Sequence, residues 1–114
     1  MKFTRGDTHK FTFKRLDANK EVITVAADEV WFTVKDNYNT TTKMIQKKLS
    51  DGGIAYDAND YSYHVIIHSK DTEKFAFNRP YVYDIQVAQD YVIKTIAKGT
   101  ITVTPEVTHE RRDS

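Results

Sequence analysis

Residues 81–89, YVYDIQVAQ, put Tyr81, Tyr83, Ile85 and Val87 at alternate positions, with Val82, Asp84 and Gln86 between them. A period of two is the pattern of a strand with one face on a core and the other towards solvent. The same pattern recurs in HKFTFK with Phe11 and Phe13, and in EVWFTVK with Val30, Phe32 and Val34 opposed to Trp31 and Thr33. It returns in YSYHVIIH, where Tyr61, Tyr63, Val65 and Ile67 share one side and His64, Ile66 and His68 the other. Between these runs stand clusters of Asp, Asn, Gly and Lys, the residues that build turns.

The remaining runs fit the same scheme. EVITV (21–25) reads as a strand, MIQKKL as a strand carrying Ile45 and Leu49, and YVIKTIA and GTITVT as two late strands. DANK (17–20) and SDGG (50–53) read as turns, with Asn19, Gly52 and Gly53 suited to the left-handed region. KDTEKF reads as one helical turn capped by Asp71. The sum is an all-β chain of about seven or eight antiparallel strands, an immunoglobulin-like β-sandwich, with a small β-barrel as the alternative. A single domain is expected over 1–108, followed by a polar tail at 109–114.

Composition narrows the function. Seventeen basic against sixteen acidic side chains leave a net charge of +1, without the basic excess of a nucleic-acid binder or the polybasic signal of a membrane anchor. No apolar run has the length of a membrane span, and MKFTRGDTHK lacks the apolar centre of a signal peptide. The absence of cysteine excludes thiol nucleophiles and thiolate metal sites, and suits folding in a reducing compartment.

Chemistry is sparse. His64 and His68 would lie about 13 Å apart on a strand, too far to share one ion. Asp57, Asn59 and Asp60 lack the closing Glu of a calcium loop and read as a turn. The glycines at 6, 52, 53 and 99 read as turn residues rather than a phosphate loop. No cofactor, metal or catalytic group is expected. Asp84 reads as a structural or solvent-facing carboxylate. Tyr38, Tyr56 and Tyr91 lie near loops and keep a carbohydrate-binding alternative open. The surfaces expected to make contacts are those of Trp31, Tyr38, His64, Ile66 and His68. Arg5-Gly6-Asp7 spells an integrin-recognition tripeptide, but its setting reads as a strand entrance, with no integrin partner.

The order RGDTHKFTF, EVWFTVKDNY, GGI, SKDTEKF, YVYDIQV and KTIAKGTITVTPEVT resembles a family of small tailed-phage and prophage proteins that includes the N-terminal domain of the baseplate upper protein. The positions that carry the resemblance are Gly6, Asp7, Tyr83, Asp84, Gly99, Val107 and Thr108. It implies a non-catalytic β-sandwich in a virion tail, baseplate or fibre attachment, assembled in the bacterial cytoplasm. The partners it implies are other phage structural proteins and further copies of the chain.

Overall fold

A computed structural model describes residues 1–105; Val107, Thr108 and the tail expected at 109–114 lie outside the described residues. Among the described residues eight strands form: β1 (Lys2–Thr4), β2 (His9–Lys14), β3 (Glu29–Lys35), β4 (Lys43–Lys48), β5 (Ile54–Asp57), β6 (Ser62–Ile67), β7 (Pro80–Gln89) and β8 (Val92–Thr104). They make two sheets, a five-stranded one in the order β1-β8-β7-β3-β4 and a three-stranded one in the order β2-β6-β5. All strand pairings are antiparallel except β1 with β8.

This order is that of an immunoglobulin-like sandwich. β2, β6 and β5 stand where strands B, E and D stand, and β4, β3, β7 and β8 follow as C′, C, F and G. Tyr81 adds a further mark. It stands at the start of β7, and its hydroxyl accepts the Ala76 amide at 2.7 Å, the arrangement of a tyrosine corner. Tyr81→Phe is expected to lower stability by about 1–3 kcal/mol in urea unfolding, because the Ala76 amide loses its partner.

The core is where period-two reading places it. Val30, Phe32 and Val34 of β3 face Val65 and Ile67 of β6, with Ile85, Val87, Ile101 and Val103 completing the buried layer. Phe32 is fully buried, meeting Phe11 edge-on at 5.1 Å between centroids and Tyr83 at 5.7 Å. Tyr63 is as deeply buried, and its hydroxyl is satisfied by the Ala27 amide at 3.0 Å.

Several expectations are corrected. EVITV is not a strand: only Val22 pairs, in a single bridge to Leu16, and Val25 is exposed. Its β-branched residues have propensity, but Arg15 holds the segment by the Val25 carbonyl and pairing does not extend beyond the Leu16–Val22 bridge, so propensity yields to context. YVIKTIA and GTITVT are one strand, β8, with a register shift opposite Ile85/Gln86 in place of a turn. Gly99 therefore sits inside a strand. A Cβ there would lie 2.6 Å from the Tyr83 ring, so close approach and not turn geometry calls for glycine.

In the 17–20 turn it is Lys20, not Asn19, that takes positive φ, and of Gly52 and Gly53 only Gly52 does. Tyr61 also has positive φ and stands in the β5–β6 turn, outside the strand face. The turn at Ser69–Thr72 is 3-10, and the Asp71 carboxylate accepts the preceding His68 amide at 2.8 Å, not those that follow.

Asp71 also ties the two halves of the sandwich. Lys47 Nζ at the edge of the five-stranded sheet reaches its Oδ2 at 2.8 Å. Burial pushes the Asp71 carboxyl up, but the hydrogen bonds from Lys47 and the His68 amide outweigh this and hold it below its ordinary 3.8. A lowered folded-state value makes the unfolded chain bind more protons near that pH. The stability from this group is present in full above 3.8 and is lost as pH falls through the lower, folded-state value. Acid unfolding of Asp71→Asn is expected to show a shallower loss in that window than the parent chain.

Candidate interaction surfaces

The five residues expected to make contacts do not form one surface. Trp31 is half-buried on the outer face of the five-stranded sheet, opposite Lys48 of β4 and Gln86 of β7. Tyr38, exposed in the β3–β4 connection, borders a small dimple of about 120 Å³ on that face, with Thr33, Lys35, Val82, Tyr83 and Asp84. Asp84 stands between Thr33 and Lys98 in the register, on the outward side.

His64 and Ile66 lie on the far side of the sandwich, on the outer face of the three-stranded sheet. His64 Nδ1 is 2.8 Å from Thr12 Oγ1, and its Nε2 is 2.9 Å from Ser62 Oγ. Its ring is thus held in a hydroxyl network. His68 is past the end of β6 and precedes the 3-10 turn. Among the described residues, no group of three or more His, Asp or Glu side chains could hold a metal ion.

The tripeptide near the start is a turn between β1 and β2. Gly6 has φ +85°, and its amide donates to Thr72 Oγ1 at 3.3 Å. The Arg5 guanidinium lies over the Phe77 ring, 5.4 Å from its centroid. Asp57 and Asp60 close the β5–β6 turn through the amides of Asn59 and Ser62, at 2.8 and 3.1 Å.

A larger feature lies at the end of the sandwich formed by the β2–β3 connection and the β7–β8 turn. Leu16, Val25, Tyr91, Val92, Ile93 and Ile96 are all exposed there, Tyr91 completely. Beside them runs a groove of about 750 Å³, walled by Leu16 and Ile23 on one side and by Val87, Val92 and Ile96 on the other. Single exposed apolar residues are ordinary; several at one end of the domain, three of them (Leu16, Val92 and Ile96) lining a groove, mark a contact surface.

Arg15 lines this groove and is only 8% exposed. Its Nη1 donates to Gln89 Oε1 at 2.7 Å and its Nη2 to the Val25 carbonyl at 2.5 Å. It fastens the end of β2 to the connection that follows and to the end of β7. Its Nε is buried without a hydrogen-bond partner, and among the described residues no carboxylate forms an ion pair with it. Sequence reading assigns Arg15 no role. The signal is nonetheless there: Phe11, Phe13 and Arg15 occupy successive inward positions of one period-two run.

Among the described residues nothing pairs with either sheet edge beside the groove. Among the described residues β2 pairs only with β6, and none takes the place of strand A beside B. β1 covers only Thr102–Thr104 of β8, and the Met1 amino group reaches no further than the Thr100 carbonyl at 2.9 Å. Among the described residues, 92–99 of β8 thus pair on one side alone.

Neither a protein-family model nor a curated protein sequence matches the chain. Among solved structures the chain is similar to the swine CD8αα homodimer, at 12% identity and a TM-score of 0.46, over 93% of each chain. The immunoglobulin-like assignment stands on the strand order and the tyrosine corner.

Proposed function

We propose that the chain is a non-enzymatic assembly module, a structural component of a phage or prophage virion working through contacts with other virion proteins and with copies of itself. The observation that carries the contact role is the apolar end, where exposed Leu16, Val92 and Ile96 line the groove and exposed Tyr91 and Ile93 flank Val92 in the chain. The tail, baseplate or fibre setting is supported by the order of segments along the sequence. A sugar-stacking platform is not favoured. Tyr63 and Tyr81 are buried, and the most exposed tyrosines, Tyr38 and Tyr91, stand at opposite ends of β3.

Light scattering across a concentration series, with and without co-expressed tail proteins, tests the proposal. A mass above that of one chain, or a stable complex with a tail protein, is expected, and Ile93→Asp should weaken it by at least about tenfold. A chain that stays monomeric at high concentration and recovers no virion partner would contradict it.

A further inference from the structure

The bare segment of β8 and the groove beside it specify their occupant more closely than the contact role alone. Resting on that role, we infer that residues 92–99 of β8 accept one extended strand of a partner protein, with acidic side chains among its apolar ones, in line with β1.

Three observations carry this. First, an unpaired strand edge offers a row of amides and carbonyls whose natural complement is another extended backbone. The free lane is about 26 Å long at roughly 3.3 Å per residue, enough for a strand of ordinary length. β1 already occupies the far end of the same lane, so an added strand continues an existing row.

Second, the groove runs beside this lane, so alternate side chains of an added strand would fall against Leu16, Ile23, Val92 and Ile96.

Third, the charges select the partner. VIKTIAKG (92–99) holds Lys94 and Lys98 and no acid. Lys14 and Lys94 line the groove, and the buried Arg15 guanidinium donates to the neutral acceptors Gln89 and Val25. Asp17 and Asp90 are the acidic residues of the lining, leaving it one positive charge in excess. A carboxylate supplied from outside would balance the one positive charge in excess in this lining.

A second copy of the same edge is disfavoured by the same charges. Antiparallel self-pairing centred on Ile96 would set Lys94 against Lys98 twice, and like charges directly opposed are destabilising.

The test is NMR titration of the full chain with an extended peptide of about eight residues alternating valine and glutamate. Two controls accompany it: the valine–lysine counterpart, and the glutamate peptide N-methylated so that it cannot donate along its paired side. The glutamate peptide should shift the amides of residues 92–99 with a Kd below about 1 mM. The lysine and N-methylated peptides should bind at least about tenfold more weakly, and so should the Lys14→Glu/Lys94→Glu chain, whose changes fall on exposed side chains.

Absence of any shift at 92–99, or equal binding by the lysine peptide, overturns the inference. So does edge-to-edge pairing of two copies at β8. A chain that assembles with its amides at 92–99 unperturbed would leave the contact role standing and remove this site. A monomeric chain that binds the glutamate peptide there would do the reverse.

Discussion

Phe32→Ala is expected to destabilise the domain by about 3–5 kcal/mol, a large share of the stability of a chain this size. Phe32 is fully buried on β3, between sheets, and touches an aromatic ring from each: Phe11 of β2 and Tyr83 of β7. Truncation removes the transfer free energy of the ring and leaves a cavity between two rigid sheets that close poorly over it. Phe32→Leu keeps much of the volume and should cost under half as much. Urea unfolding followed by the fluorescence of Trp31, on the other face of the same strand, provides the measurement. A loss below about 1 kcal/mol for the alanine variant would mean that the two sheets do not meet at Phe32.

The second large effect is expected at Arg15. Arg15→Ala should cost about 2–4 kcal/mol, because Gln89 Oε1 and the Val25 carbonyl lose their donors and the packed stem of the side chain is lost. Arg15→Lys cannot reach both acceptors with a planar fork and is expected to recover only part of this. The loss should be local as well as global. Amides of the β2–β3 connection, which Arg15 holds at Val25, should exchange faster in the alanine variant even where the whole domain remains folded. Unchanged exchange in residues 16–26 would contradict the fastening role.

Arg15 also shows how far the sequence can be read. Where one face of a strand is buried, alternation tells inside from outside, and so β2, β3, β4, β6 and β7 are legible from side-chain type alone. The same rule places Trp31, His64 and Ile66 on outer faces. It cannot say that these outer faces belong to different sheets, because sheet membership depends on long-range pairing that no local pattern encodes. EVITV misleads for a related reason: its residues suit a strand, but Arg15 holds the connection at Val25 and pairing does not extend beyond the Leu16–Val22 bridge. Gly99 misleads because glycine punctuates turns more often than it makes room for a ring. The contact end escapes sequence reading because Val92, Ile93 and Ile96 look like ordinary strand residues. Only the sheet order reveals that β1 stops short and leaves them uncovered.

The most direct test of the contact role compares amide hydrogen exchange in the isolated chain and in the complex recovered from cells that produce it. Residues 92–99, together with the apolar connection around Leu16 and Val25, are predicted to become protected on assembly, while His64 and Ile66 on the far sheet keep their exchange rates. Protection confined to the His64 face, with none anywhere at the apolar end, would contradict it; protection around Leu16 and Val25 that spares 92–99 would remove only the strand site.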